Sequence, residues 1–338
     1  MKLLLLTLLL WMIAPAMAQT YGVTGSIPLG GSGAWDYLRA DADSRRLYVS
    51  HSTEVVVLDL DNHKVVGRMT GFGFIHGIVI VKKLNIGFLS DGQKNEVVAF
   101  DPNTRRIKDR IKTVANPNSM VYNATTDRLF VGHKPSKSIT VIQASTGQIV
   151  KSIPLGGVPE YPVSDERSVF VNIEDKNEIL RIDANTLAIT AHFPLAPCES
   201  PSGLAIDQDK HRLFAACDNK LMAIVNAETG AVVSTVPIKG GPDAAAFDED
   251  RHLAFSSNGE GSLTVIADEG SDHYRVVQDI ATEQGARTMA VDVKTHVVFL
   301  SAAKLGPPPT PTAENPQPPN HPTALPGTFK LLMVSPKL

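Results

Sequence analysis

The feature that most constrains this chain is self-similarity. A charged turn, an apolar-aromatic run and a small polar residue recur along it. The unit appears as Arg46-Leu47-Tyr48-Val49-Ser50, Gly87-Phe88-Leu89-Ser90, Arg128-Leu129-Phe130-Val131-Gly132 and Val169-Phe170-Val171-Asn172. It returns as Arg212-Leu213-Phe214-Ala215, His252-Leu253-Ala254-Phe255-Ser256 and Val298-Phe299-Leu300-Ser301. Aligned on positions 48, 88, 130, 170, 214, 254 and 299, the gaps are 40, 42, 40, 44, 40 and 45 residues. A period near 42 is the length of one four-stranded propeller blade.

Each unit supplies the remaining strands. A second β-rich run follows, as in Val55-Val56-Val57-Leu58-Asp59, and then turn residues such as Ser145-Thr146-Gly147. Short strands at regular spacing, with no sustained 3.6-residue apolar period, predict an all-β chain with almost no helix. The expectation is a seven-bladed β-propeller of four-stranded blades, occupying residues 19–338 as one domain. Ser26-Ile27-Pro28-Leu29-Gly30 repeats the outer-strand ending Ser152-Ile153-Pro154-Leu155-Gly156, so residues 21–27 read as an outer strand without inner partners. Residues 329–334 read as a third strand without a fourth. Joined, the two ends complete the seventh blade and remove a bare sheet edge.

Residues 1–18 read as a secretory signal peptide: Lys2, an apolar run from Leu3, and Ala16-Met17-Ala18 as the cleavage signature. A periplasmic or secreted protein follows, with no transmembrane anchor left in the mature chain. The formal net charge of −3 over 338 residues argues against general nucleic-acid binding, which needs a basic surface. Residues 306–327 carry nine prolines and fall between the second and third strands of the last blade. They read as an extended loop insertion at the channel rim, either a partial lid or a packing loop.

One repeat position is chemically loaded. At the start of each inner strand stand Asp36, His76, Asn118, Glu160, Ser202, Asp243 and Arg287, spaced 40, 42, 42, 42, 41 and 44 residues apart. All seven are polar, and inner strands line the central channel. The position reads either as a water-filled mouth or as a site for a small ligand or a divalent cation. Asp36, His76, Glu160 and Asp243 are the candidate metal ligands. Their oxygens suit Ca²⁺ or Mg²⁺, and His76 tilts the set toward a transition metal. Arg287 is suited to a substrate carboxylate or to one of the acids. The second-strand ends at the same rim contribute His51, His133, Asn172, Glu174, Cys217, Asn258 and Glu260; His51 and His133 read as exposed loop residues. Cys198 and Cys217 come to one rim and predict a disulfide; as soft metal ligands they would lack CxxC-type spacing.

The strings Arg-Leu-Tyr-Val-Ser, Val-x-Val-Leu-Asp and Ile-Pro-Leu-Gly-Gly, together with Trp35-Asp36-Tyr37-Leu38 and Ala196-Pro197-Cys198-Glu199, resemble the YVTN/YncE-like family of secreted bacterial propellers. The resemblance implies a seven-bladed ring, and no single activity. Three functions follow as expectations: binding of a small ligand or cation at the mouth, hydrolysis of a lactone or ester with a divalent metal, and a scaffold for protein or cell wall. The acid-and-amide set Asp36, Asn118, Glu160 and Asp243 is similar in kind to the metal set of propeller lactonases.

Overall fold

The computed structural model describes residues 20–308 and 322–337. The signal-peptide expectation, and the middle of the Pro-rich insertion, lie outside the described residues. Among the described residues, 28 strands form seven four-stranded antiparallel sheets, joined by tight turns. The helical content is two single 3₁₀ turns, Lys82–Leu84 and Glu174–Lys176. The all-β expectation holds.

Each sheet runs in sequence order from an inner to an outer strand. The inner strands are Trp35–Asp41, Ile75–Val81, Pro117–Asn123, Pro159–Ser164, Pro201–Asp207, Pro242–Asp248 and Met289–Asp292. Each touches the next, and the last touches the first, so they close a ring. The seventh sheet takes its outer strand from the N-terminus: Tyr21–Pro28 pairs antiparallel with Lys330–Pro336. Tyr21 is fully buried, and Gln278 of the sixth blade bonds both its N–H and its carbonyl, at 2.8 and 2.7 Å.

The apolar residues form seven clusters, one between each pair of consecutive blades. Tyr48, Phe88, Phe130, Phe170, Phe214, Phe255 and Phe299 recur in them, all fully buried. The register corrects one alignment. Phe255, not Ala254, is the sixth-blade equivalent, because it pairs with Ala246 as Tyr48 pairs with Arg39. Both faces of Leu253–Asn258 are buried, so its alternation carries no sign of which side chain points where.

Candidate functional site at the channel mouth

The loaded position owes its geometry to a repeated β-bulge. In the first blade Trp35 pairs with His51 and Leu38 with Val49, leaving Asp36 and Tyr37 opposite Ser50 alone. The same slip occurs at His76-Gly77, Asn118-Ser119, Glu160-Tyr161, Ser202-Gly203 and Asp243. A bulge of this kind bends the strand and re-aims its side chains. Arg287 departs from the expectation, because the last inner strand begins only at Met289 and Arg287 sits in the loop before it.

Small polar residues in or opposite the bulges lock the ring from blade to blade. Ser90 Oγ accepts from the Gly77 N–H of its own blade and donates to the Asn118 carbonyl of the next. Ser119 Oγ donates to the Glu160 carbonyl at 2.6 Å, Asn172 Nδ2 to the Ser202 carbonyl at 2.9 Å, and Ser257 Oγ to the Arg287 carbonyl. With Ser202 Oγ also donating to the Asp243 carbonyl at 3.4 Å, the backbone beneath five of the seven polar side chains is held by its neighbour blade.

The side chains fall into pairs. His76 Nδ1 lies 2.6 Å from Asp36 Oδ2. Arg287 Nε lies 2.9 Å from Asp243 Oδ2, and Ser202 Oγ lies 3.2 Å from Asp243 Oδ1. Glu160 is ion-paired with Lys134, a residue the repeat pattern does not single out. Burial pushes the Glu160 carboxyl up to about 8 despite Lys134, and nearby Glu174 and Asp243 push the same way. Burial also raises Asp243, against the pull of Arg287. The Lys134 ammonium is held above its ordinary value by the Glu160 carboxylate.

Beneath the acids lies a floor. The rings of Tyr37 and Tyr161 are 4.9 Å apart, centroid to centroid. They come from the first and fourth blades, so they meet across the axis. Both phenols are raised, chiefly by burial, and Tyr37 feels Asp243, Glu160 and Asp36 together. These two rings span the channel between facing blades, and the polar mouth beside them is termed the cup. The sequence carried a signal for it: in the residue after the loaded position, Tyr37, Gly77, Ser119, Tyr161, Gly203, Ala244 and Thr288, the two aromatics stand three repeats apart.

Of the other rim residues, His51 and His133 are buried, against expectation. They end the second strands of the first and third blades. His51 stacks on Phe329, with centroids 4.1 Å apart, and its Nδ1 faces Glu54 at 3.3 Å; His133 Nδ1 faces the Ala115 carbonyl at 3.2 Å. The equivalent place in the fifth blade is Cys217, and it forms the expected disulfide with Cys198. Among the described residues, no three His, Cys, Asp or Glu gather into a group able to hold a metal ion. As arranged, Asp36, His76, Glu160 and Asp243 do not form a coordination set.

Fold and mouth together define a seven-bladed β-propeller with a polar cup closed by tyrosines. The structure of U3-55K shares this fold, with TM-score 0.75 over 94% of this chain and 99% of that one, at 8% identity. No family model matches the sequence. Two curated relatives, each called Uncharacterized protein YncE, come from Salmonella typhi and Salmonella typhimurium. They are 25% and 24% identical over 151 residues, a stretch covering 41% of this chain and 42% of theirs. This weak homology and the seven blades support a YncE-like β-propeller.

Proposed function

We propose that this chain is an exported binding propeller that takes a small polar ligand in the cup. The observation that carries the reading is the convergence of Asp36, His76, Glu160, Asp243 and Arg287 above the Tyr37–Tyr161 floor. A mouth that was merely wet would leave its acids to solvent. Here one carboxyl is buried far enough to titrate near 8, and acids stand beside His76, Lys134 and Arg287. Perturbed ionisable groups in a concave site are the usual mark of binding or chemistry.

Export is supported by the Cys198–Cys217 disulfide, since such bonds persist in oxidising compartments. The signal-peptide reading agrees with it. Among the described residues no helix is long and apolar enough to cross a membrane. Neither the hydrolase nor the scaffold alternative has an observation of its own in its favour.

The test is a thermal-shift screen of small polar compounds against the wild type, Asp36→Asn and the double variant Glu160→Gln/Lys134→Met. A compound that stabilises the wild type and loses at least tenfold in affinity in both variants is the expected result. Binding that survives both variants places the site elsewhere and overturns the reading.

A further inference from the structure

A second space lies beside the cup and shares Arg287 with it. A cleft of about 400 Å³, within the range of small-molecule pockets, lies where the sixth, seventh and first blades meet. Its lining includes Trp35, Arg287, Leu305, Ala324 and the glycines Gly241 and Gly259. One wall is the stem of the Pro-rich insertion, held by the Leu305–Ala324 bridge and by the Gly306 N–H on the Thr323 carbonyl at 2.9 Å. The floor stays bare because backbones cross there closely. A Cβ on Gly259 would lie 3.0 Å from the Gly241 carbonyl oxygen.

Two residues join cleft to cup. Trp35 precedes Asp36 in the chain. Arg287 belongs to both spaces: it lines the cleft and pairs through Nε with Asp243. Its side chain is more than half exposed, which leaves guanidinium N–H groups beyond Nε open to solvent and able to donate to a ligand. Two carboxylates, Asp36 and Asp243, act on this one guanidinium. The junction therefore sets two acids, Asp36 beside His76 and Asp243 beside Arg287, next to an exposed cation, and an apolar slot continues outward from it. That pattern is complementary to a molecule with an ammonium, a carboxylate and an apolar arm, each on a different side.

We propose that the mouth takes an apolar amino acid or the corresponding end of a short peptide. The ammonium is received by Asp36 and Asp243, the carboxylate by Arg287, and the side chain by the cleft against Trp35 and Leu305. The inference rests on the cup being a binding site and names its ligand class.

Trp35 is the sole tryptophan among the described residues, and the other in the chain is Trp11. In the full chain carrying Trp11→Phe, emission reports the cleft directly. The probes are L-phenylalanine, glycine, phenethylamine and N-acetyl-L-phenylalanine, with calorimetry run in parallel. Saturable binding of phenylalanine is expected, with a change in Trp35 emission. Glycine, which lacks the arm, should bind at least tenfold more weakly. The two probes lacking one charge should also lose at least tenfold. Arg287→Met should erase the preference for phenylalanine over phenethylamine, and Ala34→Phe, which narrows the cleft, should erase the preference over glycine.

Glycine binding as tightly as phenylalanine, and weakening in Asp36→Asn, overturns the arm and leaves the cup as the site. Failure of all four probes, while another polar compound binds in a ring-dependent way, overturns the ligand class alone. Failure of every compound overturns both readings. Phenylalanine binding only after residues 309–321 are excised would make that segment the occupant and overturn the inference.

Discussion

At the residue scale, two buried groups pull the pH dependence of stability in opposite directions. Burial draws the His133 imidazole down to about 4, from an ordinary 6.5. Below pH 6.5 the unfolded chain binds a proton that the folded one refuses, so stability is complete above 6.5 and falls as pH drops toward 4. The loss is on the order of 3 kcal/mol. Glu160 has the opposite sign. Its carboxyl titrates near 8 in the fold and near 4.5 when unfolded, so its contribution is complete below 4.5 and is lost as pH rises toward 8. The wild type should therefore lose stability between pH 6.5 and 8, where of these two groups only Glu160 changes its proton uptake between the folded and unfolded states. In Glu160→Gln/Lys134→Met that slope should flatten, as read from urea midpoints at half-unit steps. Between 4.5 and 6.5 the two slopes oppose, and His133→Gln should uncover the Glu160 slope by making the protein more stable toward the acid end. A His133→Gln midpoint that tracks the wild type throughout this window would refute the assignment.

At the element scale, the bulged inner strand and the small polar residue opposite it act as one device. Ser90 serves the Gly77 N–H and the Asn118 carbonyl at once. Ser90→Ala leaves two buried backbone groups without that partner and should cost about 1–3 kcal/mol in equilibrium unfolding. Ser136→Ala, whose hydroxyl meets only Ser138 near the surface, serves as the control and should change little. The disulfide works on the same scale. It closes a loop between residues 19 apart, tying the approach to the fifth inner strand to the end of its neighbour. Its reduction should lower stability by about 3 kcal/mol, and a Cys198→Ala/Cys217→Ala midpoint equal to that of the oxidised protein would show the bond to be idle.

At the scale of the whole molecule, stability depends on closing the ring. Tyr21 lies 5.4 Å from the Phe255 ring, and its strand covers the edge of Lys330–Pro336. Removing residues 20–28 should expose that edge and produce a species that binds hydrophobic dye and associates. Tyr21→Ala should remain folded but lose a few kcal/mol, as other buried aromatic truncations do. A deletion variant that stays monomeric with an unchanged midpoint would mean that the ring closes without its N-terminal strand.

The sequence by itself determined the all-β class, the seven units, the closure of the last blade by both ends and the polar ring. Each is a local pattern repeated at a constant interval, and repetition makes a weak local signal legible. It also placed Cys198 and Cys217 at one rim, because strand order decides which ends are neighbours. The tertiary structure decided the rest. Asp36 meets His76, Asp243 meets Arg287, and Lys134 reaches Glu160 across separations of 26 to 44 residues. Tyr37 meets Tyr161 only because blades one and four face each other across the axis. His51 is buried where it stacks on Phe329 of the seventh blade, and His133 where it meets Ala115 in the loop before its own inner strand. These contacts depend on the angle and distance between sheets, which packing of the seven interblade cores sets and a strand's own pattern does not encode.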